Sequence, residues 1–85
     1  MQTLVREIRG IPLFLLKEYL QEMGGTPDGE NIIRAEGWKV TLERMEPFRL
    51  GSLAVGQTRL TIEIEDHLVE GFMAQFGKKT LRAGA

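Results

Sequence analysis

The side chains best suited to chemistry are few, and they stand apart from one another. His67 is the only histidine, and Glu65 and Asp66 precede it. That trio could bind a metal or move a proton. A lone histidine opening a helix is far more often an exposed surface residue. Glu63 and Glu65 would share one face of a strand, the arrangement of a pair of acid–base carboxylates. Acids alternating opposite basic residues usually mark a solvated sheet surface instead. Tyr19 sits near the apolar side of a helix, where its hydroxyl finds a partner at the rim. Met23, Met45 and Met73 read as fillers of core gaps. The chain has no cysteine, which rules out disulfides, thiolate catalysis and cysteine metal sites.

Two glycine-bearing stretches invite a phosphate-binding reading, and both fail it. Gly71 to Thr80 (Gly-Phe-Met-Ala-Gln-Phe-Gly-Lys-Lys-Thr) has one residue too many between its glycines. Lys79 also stands where serine or threonine is needed, and the glycines flank an apolar helical stripe. Thr26 to Glu30 follows a helix, whereas anion binding needs a helix N-terminus. It reads as a turn. No constellation specifies a reaction, and no cofactor or metal is expected.

Composition narrows the partners. Eighty-five residues make one domain, 1–85, with room for a modest core. A 42% hydrophobic and 27% charged chain is that of an ordinary globular protein. The formal net charge of -1 offers no field for nucleic acid or an anionic membrane, so neither is expected as a partner. The apolar run Ile11 to Leu16 is too short to span a bilayer, and a cytoplasmic location is the default. A single asparagine amid plentiful Arg and Glu leans towards a thermophilic source.

These residues must be positioned by a few elements, and the clearest are two alternating strands. Trp38, Val40 and Leu42 alternate with Lys39, Thr41 and Glu43, and Leu60, Ile62 and Ile64 with Arg59, Thr61 and Glu63. A period of two gives each strand one dry and one wet face. Before them, Thr3 to Ile8 reads as a strand. An amphipathic helix begins near Leu13, with Leu13, Leu16, Leu20 and Met23 on its core side and Gly24-Gly25 as its stop. Asn31 to Glu36 is a short strand. After them, Asp66 is suited to cap a second helix. Its stripe is Leu68, Val69, Phe72, Met73 and Phe76, Gly77 is placed to end it, and 78–85 is expected to be a loose tail.

The middle has two readings. In one, Pro47 ends the Trp38 strand and residues 48–55 form a further strand, which turns at Gly56-Gln57 into the Thr58 strand. In the other, a long excursion lets the two clean strands pair directly, with Lys39 opposite Glu63, Thr41 opposite Thr61 and Glu43 opposite Arg59. Short connections favour the first.

The expected fold is therefore α+β: a two-layer sandwich whose antiparallel four- to five-stranded sheet carries two helices on one face, in the order β-α-β-β-β-β-α. That order is similar to one repeat of the TATA-binding-protein fold. The chain also resembles small uncharacterised proteins of thermophilic bacteria, a domain-of-unknown-function family, and this resemblance implies no activity. Without the first strand, the order becomes that of double-stranded-RNA-binding domains. Glu63, Glu65, Asp66 and Glu70 occupy the place where such domains need lysines.

Two function classes follow. The favoured one is a non-enzymatic binding or assembly module, a homo-oligomer or a small partner subunit, using the wet sheet face or a free edge. Lys39, Arg49, Arg59, Glu63 and His67 are its candidate binding residues. The alternative is a ligand-binding protein or small enzyme with a pocket between helices and sheet, near Trp38, Tyr19 and His67.

Overall fold

A computed structural model describes residues 1–82. The elements are β1 (Gln2–Arg9), α1 (Leu13–Glu22), β2 (Thr26–Pro27), β3 (Ile32–Ala35), β4 (Trp38–Leu50), β5 (Leu53–Ile64), a 3-10 turn (Asp66–Leu68) and α2 (Val69–Arg82). The five strands form one sheet in the order β1-β5-β4-β3-β2, and every neighbouring pair is antiparallel. The α+β order β-α-β-β-β-β-α expected from the sequence is the one observed.

The alternation does the sorting. Val40, Leu60, Ile62, Ile64 and Ile33 are fully buried on one face of the sheet. From α1, Leu16 and Leu20 meet them, and from α2, Phe72 and Phe76. Each such side chain contributes about 1.5–3 kcal/mol by leaving water. Trp38 belongs to this core, and its ring meets Phe72 edge-on at 5.0 Å between centroids. Both helices therefore cover the same face, and among the described residues no layer covers the other.

Four details depart from the sequence expectations. First, the two clean strands pair directly, with Lys39 opposite Glu63, Thr41 opposite Thr61 and Glu43 opposite Arg59. Pro47 does not end β4, because it sits in a β-bulge where Glu46 and Pro47 together oppose Gly56, and a bulge tolerates a missing donor. Residues 48–55 are consequently the far end of one long hairpin. Its two-residue turn is Gly51-Ser52, where Gly51 has φ +63° and Ser52 stays out of the left-handed region, as a type II′ turn requires.

Second, Thr26–Pro27 is more than a turn, since it pairs with β3 as a short edge strand. Third, Asp66 does not cap a helix through its side chain. It is the first residue of the 3-10 turn, Glu65 holds the capping position, and no side-chain capping bond forms there. Fourth, α2 continues through Gly77 to Arg82, so 78–82 is helix where a loose tail was expected, and 83–85 lie outside the described residues. The last turns are held down. Lys79 Nζ lies 2.6 Å from Glu22 Oε1 of α1, and the Thr80 hydroxyl reaches the carbonyls of Phe76 and Gly77.

Candidate functional site: the open sheet face

Because directly opposed residues in an antiparallel ladder share a side, the register builds the open face row by row. The central row crosses four strands as Val5, Thr61, Thr41 and Ile32. Val5 is 51% exposed and the other three are half-buried. On one side of it lies the row Glu7, Arg59, Glu43, and on the other the row Thr3, Glu63, Lys39, Arg34, Thr26.

The charges in the flanking rows are paired. Arg59 is forked, with Nη2 at 3.3 Å from Glu7 Oε2 and Nη1 at 3.3 Å from Glu43 Oε1. Lys39 Nζ lies 4.0 Å from Glu63 Oε2. Arg34 stands beside Lys39, a costly pairing of like charges, but its Nε turns outward to Asp28 Oδ2 at 2.7 Å. These pairs are close to half exposed, so they add little to stability. What they do is hold charged groups at fixed positions around a weakly polar centre.

Of the candidate binding residues, Lys39, Glu63 and Arg59 come together on this face. Arg49 does not, because the bulge carries it out onto the far end of the hairpin opposite Ala54. His67 is exposed in the 3-10 turn, on the helix side of the molecule. There it lines a depression of about 280 Å³ with Met23, Trp38, Leu68 and Phe72, and Tyr19 is not part of that lining. This volume lies just under the ordinary range for small-molecule pockets. Sequence reasoning did not single out the central row. The signal was there in the direct strand pairing, which sets Thr41 opposite Thr61, and Val5 and Ile32 needed the registers of β1 and β3.

Among the described residues, no group of three or more His, Asp or Glu side chains could hold a metal ion, and no helix is long and apolar enough to cross a membrane. None of the curated proteins matches the sequence. A family model described as archaeal MoaD-like protein does match it, over residues 4–85. That match lends no support to the expected likeness to a TATA-binding-protein repeat or to proteins of thermophilic bacteria. With almost the full length covered, the chain belongs to the archaeal MoaD-like protein family.

Proposed function

We propose that this chain is a non-enzymatic protein-binding module, and that the uncovered face of its sheet is the contact surface. The observation that carries this reading is the layout of that face. Val5, Thr61, Thr41 and Ile32 run across it as a weakly polar strip, and rows of paired charges flank the strip on both sides. A centre poor in charge inside a polar rim is how specific protein interfaces are built. Charges already held by partners lose little freedom when a second protein docks on them, which lowers the cost of association. Membership of a MoaD-like family supports a role exercised through partner proteins.

The partner fitted to this face is a protein whose own flat surface carries alternating charges. Lys39 and Glu63 meet it on one flank of the strip, and Arg59, between Glu7 and Glu43, meets it on the other. Arg59 supplies recognition there and almost no folding energy. Its replacement by alanine is expected to change stability by less than about 1 kcal/mol while weakening partner binding.

The test is a quantitative capture experiment with tagged protein. Thr41→Glu places a charge in the middle of the strip, whereas Glu70→Lys alters an exposed position on α2, away from the sheet. A genuine partner should be retained by the wild type and by Glu70→Lys, and lost at least tenfold with Thr41→Glu. Equal capture by Thr41→Glu, with its fold intact by circular dichroism, would refute the open face as the contact surface.

A further inference from the structure

The β4–β5 hairpin runs on after its neighbours stop. β1 ends at Arg9 opposite Gln57, with Gly10 donating a last backbone bond to Gly56, and β3 begins at Ile32 opposite Thr41. Beyond the bulge, only the pairs Phe48–Val55, Arg49–Ala54 and Leu50–Leu53 remain, as a bare two-stranded arm. The bulge shifts the alternation by one, so Phe48 and Leu50 join Val55 and Leu53 on a single apolar side. Arg9 covers part of it, its guanidinium 3.9 Å from the Phe48 ring centre. Leu50 and Leu53 at the tip are each 65% exposed. Two strands alone are marginal in water, and a tip with paired leucines needs a cover.

The molecule carries a matching hollow. A groove of about 370 Å³ lies between the start of α1 and the base of the arm, with Pro12, Leu13 and Phe14 on one wall and Met45, Pro47 and Gly56 on the other. Phe14 is 65% exposed. Two leucine side chains, taken as four carbons each at roughly one water volume of about 30 Å³, would need about 240 Å³. The arm cannot fill its own groove. Pro47 forms the groove wall, and Leu50 lies three residues further out, about 10 Å away along an extended strand.

Arg49 at the tip makes no ion pair among the described residues, nor do Glu18, one turn after Phe14, and Glu46, beside Pro47. Arg44 is the one charged residue of the groove lining, so Glu18 and Glu46 at its margins are the groups available to receive Arg49, while the apolar surfaces carry the fit. We propose that two copies of this chain exchange arms about a two-fold axis, the Leu50–Leu53 tip of each seated beside Phe14 of the other. Every tip–groove joint then occurs twice, as closed symmetry demands. Phe14, Leu50 and Leu53 of both copies would remove on the order of 600 Å² of apolar surface at roughly 100 Å² apiece. That is about two-thirds of the apolar area in a standard interface of about 1,600 Å².

This proposal is independent of the open-face reading, because the arm and groove contain none of the strip residues. The absence of cysteine makes the test direct. F14C and L53C single variants are mixed and oxidised mildly with glutathione disulfide. The expected main product is the mixed F14C–L53C disulfide, at least tenfold over either self-linked dimer. A predominance of L53C–L53C, as packing of two arms side by side would give, overturns the proposal, and so does a random mixture. In parallel, light scattering across a concentration series is expected to show a dimer for the wild type and the monomer mass for L50E/L53E, with both folded by circular dichroism. A wild type that stays monomeric up to about 1 mM also overturns it.

Discussion

At Gly25 the fold depends on a missing side chain. A Cβ there would press into Ile33 Cγ2, lie 2.7 Å from Trp38 Cη2 and sit 2.9 Å from the Leu20 carbonyl oxygen. The chain leaves α1 at this point and passes directly over the core, so the constraint is space rather than φ. Gly25→Ala is expected to destabilise by about 1–3 kcal/mol, because Ile33 and Trp38 would have to leave well-packed positions. Urea unfolding followed by Trp38 fluorescence measures it, and a change below about 0.5 kcal/mol would show that α1 shifts freely against β3. The sequence marked Gly25 only as a helix stop. Its second duty arises from Ile33 and Trp38, which the chain brings back over Gly25 only after the following turn and strand, and no periodic pattern records that approach. The burial of Trp38 was more legible, since it shares the alternation of Val40 and Leu42.

At the scale of elements, periodic patterns were readable and their ends were not. β1, α1, β3 and the stripe of α2 were visible from apolar spacing alone. The β4–β5 hairpin was misjudged at Pro47 because proline breaks a regular ladder, while a bulge needs no donor at that position. The sequence points to Gly56-Gln57 as the two-residue turn, whereas the glycine-led turn is Gly51-Ser52 and Gly56-Gln57 lies within β5. The end of α2 was misplaced for a related reason. Glycine signals a helix stop only if nothing further on rewards continuation, and here Lys79 meets Glu22 and Thr80 bonds back to its own helix. Gly77 thus lies in a helix interior, where an added Cβ would touch nothing within 4 Å. Gly77→Ala should therefore raise stability by about 0.5–1 kcal/mol. A loss of stability on thermal unfolding would mean that the helix does end there.

At the scale of the whole molecule, the long hairpin divides the chain into a packed body and a projection. The molecule measures 42 × 25 × 21 Å, with a radius of gyration of 12.9 Å, whereas a compact domain of this length has about 12 Å. Every buried core residue lies outside 46–56, so the body should fold without the arm. Replacing 46–56 with a two-residue Asn-Gly turn joins Met45 to Gln57, which already face each other across the ladder. Such a turn suits the twist of a tight hairpin. The losses are the stacking of Arg9 on Phe48, about 0.5–1 kcal/mol at an exposed site, the exposed bond from Gln57 to the Glu46 carbonyl, and the backbone bond from Gly10 to the Gly56 carbonyl, whose place the carbonyl of the new turn glycine takes. The shorter connection costs less to close, which offsets part of this. The expected result is a protein within about 1 kcal/mol of the wild type in stability, compact by small-angle scattering, monomeric at every concentration, and still able to bind a partner through the open face. A drop of several kcal/mol would show that the arm belongs to the cooperative fold. A dimer that survived the deletion would place self-association elsewhere, with the free edge of β1 as the next surface to block.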